Sequence, residues 1–381
     1  MKTIECVLRT SFCTAALVFG IVAGAAAQSA QGQPIKVGAV LSLTGIAAGG
    51  GIPERNGILL AEQVINERGG VKGRPLKIII EDDSSKPDVA KSKAEKLIFD
   101  EKVKLLIGAS LTPGTVAIAG VTHGQQMPQL ALTGLGPPIE LTYKSVFHLL
   151  PTQRLNARAM LEYATKALGA KKIGVLHDSG YGQVVMANLA TEAAAYGVDF
   201  VAVEKFEIAA TDVTTQAAKV RAAKPEVVFV VASSPVPFRN ARQVRITEPI
   251  VSALGSSSYE YVRGMGEYAD DIVFAEFVVG EDPLPHQKEF VTRYQAAYRV
   301  LPKNFDAAGW DAVHIIARAM DKSGPDASPG DLAQAMREPY QGVMATYAFG
   351  ADDMTGIDLS SYVFSKLVKG RFTRTQFRVS K

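Results

Sequence analysis

The clearest fold signal in the sequence is the segment Asn66-Glu67-Arg68-Gly69-Gly70-Val71-Lys72-Gly73-Arg74-Pro75-Leu76, which continues into apolar residues up to Ile80. Glycine adopts the left-handed backbone conformation that commonly ends a helix, so Gly69 and Gly70 predict a helix end. Residues 76–80 are almost entirely apolar and include three consecutive isoleucines, which favours a buried strand. The segment therefore predicts one helix–turn–strand unit of an α/β fold.

The same alternation of strand and helix extends in both directions from this segment. Four further apolar runs lack polar alternation, as expected for strands buried on both faces of a parallel sheet. They are residues 35–41, 103–107, 172–176 and 227–231. Residues 90–98 instead place their apolar side chains at helical spacing. Proline suits the first turn of a helix, which predicts helix starts near Pro53, Pro87 and Pro329, and Gly197 predicts another helix end.

The alternating elements form two blocks, residues 35–150 and 171–277, and each block has an ordinary domain size. Helical patterns at 287–298 and 306–321 belong to neither block, and the glycine-containing end from 341 to 381 predicts strands and turns. Two α/β lobes with a cleft between them follow from this arrangement. Ligands of open α/β sheets bind beyond the carboxyl ends of the strands, so the candidate site lies in the strand-end loops.

The N-terminus has the pattern of a secretory signal peptide. Lys2 and Arg9 precede an uncharged, mostly apolar run at 12–27, which ends in Ala25-Ala26-Ala27. A charged start, a short apolar region and a small-residue cleavage site predict removal near Ala27 and a mature protein in the periplasm. An uncleaved membrane anchor or a buried helix is the alternative, although the run is short for a membrane span.

Composition excludes several classes of function. Cys6 and Cys13 are the only cysteines of the sequence, and both lie in the predicted signal peptide, so no mature thiol or disulfide chemistry is expected. The net charge of +3 over 381 residues argues against nucleic-acid binding. Nucleotide-binding glycine motifs and a G-x-S-x-G elbow are lacking, and the histidines do not have metal-ligand spacing. We expect no enzyme, cofactor or metal, and a structural role for the pair His177-Asp178.

A known family has the same pieces in the same order. The opening segment with Asp82-Asp83 and Pro87 resembles the first helix–turn–strand unit of leucine/isoleucine/valine-binding proteins, the type I periplasmic binding proteins of ABC importers. The resemblance covers essentially the whole predicted mature chain. Its further pieces are Ile107-Gly108-Ala109-Ser110, His177-Asp178, Tyr181-Gly182, Thr211-Asp212-Val213 and Gly309-Trp310-Asp311-Ala312.

The resemblance implies an α/β fold of two doubly wound lobes joined by a three-segment hinge. The N-terminal lobe would comprise 34–152 plus 280–345, and the C-terminal lobe 153–279 plus 346–381. The lobes would close on a small molecule in the cleft between them, and the liganded protein would act as a monomer on a membrane permease. A soluble ligand sensor of the same fold, acting on a membrane receptor, is the alternative function.

The first-lobe contacts implied by the resemblance are hydroxyl and backbone donors for a ligand carboxylate. Ser110 and Thr112 match the family loop that receives that group, although a Ser/Thr-rich helix cap would have the same composition. Leu135 and Gly136 match the next ligand loop. There Pro137 stands at or beside the position of a family threonine, and since proline offers neither hydroxyl nor N–H, two expected ligand bonds cannot form.

The second-lobe loop departs further from the family pattern. Ser257 stands in Gly255-Ser256-Ser257-Ser258-Tyr259, where the amino-acid binders place a glutamate opposite the ligand ammonium. A buried ammonium without a counter-anion is costly. The run Gly49-Gly50-Gly51 also replaces a family tyrosine and leaves room for a larger ligand. We therefore expect a hydrophobic or aromatic carboxylate, with a branched-chain amino acid as the alternative.

Five more residues complete the candidate site. His148 and Arg154 lie at the first crossover and are the cationic candidates for a ligand carboxylate, the alternative for Arg154 being a solvated side chain. Tyr181, at a strand-to-helix turn, would contact the ligand with its ring and hydroxyl, unless it packs on its own helix. Ser233 and Phe305 match further cleft positions of the family.

Overall fold

Five short parallel strands form the first of two large sheets in the computed structural model, which describes residues 32–379. They are β1 (Ile35–Leu41), β2 (Leu76–Asp82), β3 (Leu106–Gly108), β4 (Gln129–Ala131) and β5 (Val146–His148). Their order across the sheet is β2-β1-β3-β4-β5. The helices between them are α1 (Ala48–Glu67), α2 (Pro87–Phe99), α3 (Thr112–Thr122) and α4 (Pro137–Thr142). We call this sheet with its helices the first lobe.

The second sheet repeats this topology. Its parallel strands are β6 (Lys172–Asp178), β7 (Asp199–Phe206), β8 (Val227–Val231), β9 (Ile250–Ala253) and β10 (Ile272–Glu276). The helices of this second lobe are α5 (Gln153–Glu162), α6 (Tyr181–Tyr196), α7 (Thr214–Ala222), α8 (Val236–Gln243) and α9 (Tyr259–Met265). The sheet order is β14-β13-β10-β9-β8-β6-β7. Two antiparallel strands extend this sheet beyond β10: β13 (Val363–Val368), which pairs with β10, and β14 (Arg371–Arg374) at the edge.

Each sheet therefore has a point where the strand order reverses, between β1 and β3 in the first lobe and between β6 and β8 in the second. In open α/β sheets the loops that leave the strands in opposite directions at this point form a crevice that binds ligands. The loops after these four strands are the ones that a ligand between the lobes would meet.

The helices that follow the second parallel block return to the first lobe. They are α10 (Lys288–Tyr298), α11 (Asn304–Ser323) and α12 (Pro329–Met336). Helix α11 lies directly against α1, because glycine allows close backbone approach: a Cβ at Gly57 would be 1.9 Å from the carbonyl oxygen of Asp306. A Cβ at Gly309 would likewise be 2.2 Å from the carbonyl oxygen of Glu54. Both helices therefore share one buried face at the cleft end of the lobe.

Between residues 32 and 379 the chain passes three times from one lobe to the other, after β5, after β10 and before β13. The two-residue strands β11 (Tyr340–Gln341) and β12 (Thr346–Tyr347) precede the last passage. Residues 348–357 still contact the first lobe, since the backbone N–H of His148 donates to the Met354 carbonyl at 2.9 Å and the rings of Phe147 and Phe349 lie 4.9 Å apart. The predicted domain boundaries remain a prediction.

Most of the predicted elements are confirmed, with two differences. The strand predicted at 103–107 begins only at Leu106. The helix start predicted near Pro53 is wrong, because α1 already begins at Ala48 and includes the glycine run before Pro53. Pro87 and Pro329 do begin helices, and Gly197 follows α6 with a positive φ of 63°. The predicted signal peptide lies outside the described residues.

Candidate functional site: the cleft between the lobes

A cavity of about 1720 Å³ lies between the two lobes at the carboxyl ends of the parallel strands. Loops from both switch points border it, together with the start of α5 and the segment before β13. Eight of the ten predicted site residues line it: Ser110, Thr112, Leu135, Gly136, Arg154, Tyr181, Ser233 and Phe305. Their contact with a ligand stays a prediction, but the fold brings them to one place.

The first-lobe wall is organised around the Ser110 hydroxyl. Its oxygen accepts a hydrogen bond from the backbone N–H of Ser42 at 3.1 Å and lies 2.5 Å from Glu54 Oε2. Glu54 also lines the cavity, yet its side chain is completely buried. The other carboxyl oxygen of Glu54, Oε1, has no hydrogen-bond partner among the described residues. A buried carboxyl group therefore lies directly behind the predicted carboxylate-binding serine.

Burial raises the pKa of Glu54 from its ordinary value of 4.5 to about 8, because the charged form is poorly solvated there. The Ser110 hydroxyl opposes this shift, while the nearby carboxyl groups of Asp83 and Asp306 add to it. Within residues 32–379, Glu54 has no lysine, arginine or histidine at ion-pair distance. At neutral pH the group is therefore mostly a neutral carboxylic acid.

The other first-lobe loops supply hydroxyl and backbone groups. The Thr112 and Thr133 hydroxyls lie 3.3 Å apart at the start of α3. Gly136 immediately precedes α4, whose first residue is Pro137. The space beside Gly50 is bordered by the ring of Phe305, because a Cβ at Gly50 would lie 3.9 Å from the nearest ring atom. These loops combine a polar end near Thr112 with an apolar side near Phe305.

The carboxylate of Asp178 holds the two second-lobe loops at their switch point. It accepts backbone hydrogen bonds from Gly180 at 3.0 Å, from Gly182 at 2.8 Å and from Ser233 at 2.7 Å. The Tyr261 hydroxyl donates to the Ser233 carbonyl at 2.7 Å. Asp178 is 1% exposed, so its role is to join the loop after β6 to the loop after β8. The expectation of a structural His177-Asp178 pair agrees with this geometry.

Replacing Asp178 by alanine is expected to lower the free energy of unfolding by about 2–4 kcal/mol, because it leaves three backbone N–H groups without their charged acceptor. Urea unfolding followed by circular dichroism measures this. Asp212→Ala is the control, since Asp212 is exposed and its hydrogen bonds are with Thr214, two residues along the chain. Equal effects of the two substitutions would show that Asp178 does not organise the loops.

The ring of Tyr181 packs against the backbone of the loop of residues 255–258, which follows β9: a Cβ at Gly255 would be 2.8 Å from the ring. Its hydroxyl is buried and has no hydrogen-bond partner among the described residues. Burial raises the pKa of Tyr181, so the hydroxyl stays protonated. The phenol lies at the cavity wall beside Gly255, and within residues 32–379 its O–H has no acceptor.

The structure corrects two of the predicted site residues. Ser257 does not line the cavity; it is 2% exposed and its hydroxyl donates to Glu276 Oε2 at 2.6 Å. His148 is completely buried, with its ring nitrogens 3.0 Å from Glu140 Oε1 and 2.8 Å from the Leu150 carbonyl. Both side chains point into their own lobes, where they form hydrogen bonds with buried polar groups. Of the three loop serines, Ser258 lines the cavity.

Arg154 lines the cavity from α5 but is already paired, with its Nε 2.5 Å from Glu192 Oε1. Its side chain is 66% exposed, so the pair is weakly held and the guanidinium is free to reorient. Arg154 therefore lies at the cleft, and its exposure agrees with the alternative of a solvated side chain. Its contact with a ligand carboxylate stays a prediction.

Carboxylates along the cavity other than Glu54 have partners for their charge. Glu140 accepts from the Met354 backbone N–H at 2.9 Å, and Glu162 lies 2.6 Å from Lys166 Nζ. The acidic residues of the segment before β13 are likewise occupied: Asp352 with Lys144, Asp353 with the Thr355 and Gly356 amides, and Asp358 with the Ser360 amide. Glu54 is the carboxyl group in this set that lacks a cation or backbone donor.

Sequence reasoning missed Glu54, although the sequence contains a signal for it. Glu54, Ile58, Ala61 and Ile65 are spaced four, three and four residues apart, and all are buried on one face of α1. A glutamate on the apolar stripe of a helix is rarely buried without a role or a partner.

Residues 32–379 include no helix long and apolar enough to cross a membrane, and no cluster of three potential metal ligands.

Comparison with known proteins gives consistent matches. The profile of the family described as "Periplasmic binding protein" matches residues 34–365. The leucine-, isoleucine-, valine-, threonine-, and alanine-binding protein of Pseudomonas aeruginosa is 24% identical over 321 residues, covering 83% of this chain and 85% of the relative. The Leu/Ile/Val-binding protein homolog 3 of Brucella melitensis is 24% identical, covering 88% of this chain and 91% of the relative.

Solved structures show the same fold. The branched-chain amino acid transporter substrate binding protein of Streptococcus pneumoniae, in complex with isoleucine, superimposes with a TM-score of 0.80 at 22% identity, covering 90% of this chain and 100% of that one. An ABC transporter solute binding protein of Rhodopseudomonas palustris, in complex with benzoate, gives a TM-score of 0.78 at 20% identity, covering 90% and 95%. At these identities the likeness concerns the fold.

Proposed function

This chain belongs to the periplasmic binding protein family, and from that premise we propose that it is the substrate-binding component of an ABC importer of the branched-chain amino acid type, binding a small hydrophobic or aromatic carboxylate. The family and the two-lobed α/β fold expected from the sequence are confirmed. Proteins of this family bind solutes and are not enzymes. The finer choices are the ligand, the compartment and the permease.

The observation that supports a carboxylate ligand is the distribution of charge around the cavity. Ser110, Thr112 and Ser258 line the cavity with hydroxyl groups, and the loop of residues 255–258, which follows β9, presents no carboxylate to the cavity. Glu54, whose pKa is raised to about 8, is mostly neutral at pH 7 and does not replace the missing counter-anion. A ligand with an apolar body and a carboxylate matches such a wall better than one that also has an ammonium group.

A branched-chain amino acid is the alternative ligand. The names of the Pseudomonas and Brucella relatives refer to leucine, isoleucine and valine, and one structural neighbour was solved with isoleucine. Another neighbour was solved with benzoate, a carboxylate without an ammonium group. At the Ser110 end of the cavity the ammonium of an amino acid would need an anion, and Glu54 could serve there only after losing its proton.

Matched pairs of ligands test this choice. We expect 4-methyl-2-oxopentanoate to bind at least about tenfold more tightly than leucine, and 3-phenylpropanoate more tightly than phenylalanine, because each acid lacks the ammonium that has no partner here. Isothermal titration of the ligand-free protein at pH 7, with benzoate as a fifth compound, measures the affinities. Tighter binding of leucine than of its 2-oxo analogue would contradict the carboxylate proposal.

The proposed setting is the periplasm, reached after cleavage near Ala27. Its support is the family and the charged, apolar and small-residue pattern of residues 1–27. Mass spectrometry of the protein from a periplasmic extract gives the mature N-terminus, and co-purification of a membrane permease with the liganded protein tests the transport partner. Retention of the full-length chain in the cytoplasm would contradict this part of the proposal.

A further inference from the structure

The Ser110 hydroxyl has a hydrogen-bond problem that depends on Glu54. A hydroxyl has one hydrogen to donate and two lone pairs to accept with. The Ser42 N–H already occupies one lone pair at 3.1 Å. If Glu54 is ionised, it can only accept, and Ser110 must give it its one hydrogen across the 2.5 Å contact. Ser110 would then have nothing to donate to a ligand carboxylate.

A protonated Glu54 reverses this hydrogen bond. Glu54 Oε2–H then donates to the second lone pair of Ser110 Oγ, and the hydrogen of Ser110 is released toward the cavity. The other oxygen, Oε1, is then the carbonyl oxygen of a neutral carboxylic acid. Burying this oxygen without a hydrogen-bond partner costs less free energy than burying a charged carboxylate oxygen there. The same side chains thus form two states that differ by one proton and by the direction of one hydrogen bond.

We propose that Glu54 is a positioning residue that must be protonated for Ser110 to donate a hydrogen bond to a ligand carboxylate, so that the cleft binds a carboxylate together with one proton on Glu54. This inference rests on the proposed function and refines its ligand class. It also excludes the ammonium of an amino acid from the Ser110 side of the cavity, since that contact requires an ionised Glu54.

Burial and the charged residues packed around Glu54 favour its protonated state, and only the Ser110 hydroxyl opposes it. Helix α1 presents Glu54 to Ser42 after β1, Asp83 after β2, Ser110 after β3 and Asp306 on α11. The charged groups among them are acidic, and Asp83 and Asp306 both act to raise the pKa of Glu54. Lys303 lies near Asp306, but its ammonium is paired with Glu276 at 2.5 Å. A ligand carboxylate at Ser110 would add another negative charge and strengthen proton binding.

The first test needs no ligand. The infrared difference spectrum of the native protein minus Glu54→Gln at pH 7 is expected to contain the C=O band of a protonated carboxylic acid, which converts to carboxylate bands near pH 8. The control is Glu62→Gln, the same substitution on the same helix but outside the residues that line the cavity. A Glu54 that is ionised at pH 7 would overturn the inference.

The second test measures binding of benzoate and 4-methyl-2-oxopentanoate between pH 6 and 9. If only the protonated protein binds, a pKa of about 8 predicts affinity about tenfold weaker at pH 9 than at pH 7. Comparison of the binding enthalpies measured at pH 8 in phosphate and in Tris buffer should reveal proton uptake when the acid binds. Glu54→Gln offers an amide N–H to Ser110 in place of the acid, so its affinity should stay near the native value at pH 7 and lose its pH dependence.

The outcomes separate the two proposals. If neither acid binds, the proposed ligand class fails, and the infrared experiment decides the protonation state of Glu54 by itself. If the acids bind with affinity that rises with pH, or if Glu54→Gln loses binding while Glu62→Gln keeps it, Glu54 acts as an anion and only the inference fails. Native affinity of Glu54→Gln without pH dependence, together with proton uptake by the native protein, supports it.

Discussion

Replacing Lys303 by methionine should lower the free energy of unfolding by about 3–5 kcal/mol, among the largest effects of a single substitution in this protein. Lys303 Nζ lies 2.5 Å from Glu276 Oε2, and the two side chains are only 6% and 0% exposed. Methionine keeps most of the apolar contact but removes the charge. Glu276 would then be a buried carboxylate whose remaining partners are neutral side chains.

This ion pair joins the lobes at one of their crossovers. Glu276 ends β10 in the second lobe, whereas Lys303 immediately precedes α11 in the first. The ammonium also lies 3.5 Å from the centre of the Phe372 ring of β14. Lys303 of the first lobe therefore stabilises the end of β10 in the second lobe. Lys303→Met should for this reason also lower the cooperativity with which the two lobes unfold.

Urea unfolding of four proteins checks the prediction: native, Lys303→Met, Glu276→Gln and the double variant. The double variant should recover a substantial part of the lost stability, since it leaves no unpaired charge. Lys366→Met is the control, because its partner Asp271 is 70% exposed and surface pairs contribute little. If the double variant shows the plain sum of the two single losses, the pair does not act as a unit.

Much of the fold was predictable because several of its strands are buried on both faces. Residues 227–231 are an uninterrupted apolar run and residues 35–41 contain Lys36 as their one charged residue, and the two runs form β8 and β1 with these bounds. Short strands such as β4 and β5, with three residues each, have too few positions to give a periodic signal. The start of α1 was misplaced because glycines are poor helix formers, and tertiary contact between Gly51 and Ser42 overrides that preference.

The candidate site was predictable at the level of loops but not of side-chain direction. The loops after β3 and β6 do reach the cavity with Ser110 and Tyr181. Ser257 and Ser258 are neighbours in the same loop, yet one bonds to buried Glu276 and the other lines the cavity. That choice depends on Glu276, which comes from β10 and is not indicated by the loop sequence. The contact of Glu54 with Ser110 likewise joins residues 56 positions apart.

Replacing Glu54 by glutamine should make the ligand-free protein more stable, and the gain should grow with pH. The ordinary pKa of the group, 4.5, applies to the unfolded chain, and burial raises the pKa to about 8 in the folded protein. Between these values the folded state binds more protons than the unfolded state, so native stability falls as pH rises, by up to about 1.4 kcal/mol per pH unit. Glutamine does not titrate.

The difference in free energy of unfolding between Glu54→Gln and the native protein should therefore be about 4 kcal/mol larger at pH 9 than at pH 4, with most of the change between pH 5 and 8. Urea unfolding at each pH measures it, and the contribution of Asp311, whose pKa is also raised, cancels because both proteins contain it. Asp306 is electrostatically coupled to Glu54, so the measured difference includes that coupling. Glu62→Gln should show a smaller change, since Glu62 is only half-buried. Parallel stability curves for native protein and Glu54→Gln would mean that Glu54 is ionised at little cost, and that water or another donor reaches its free oxygen.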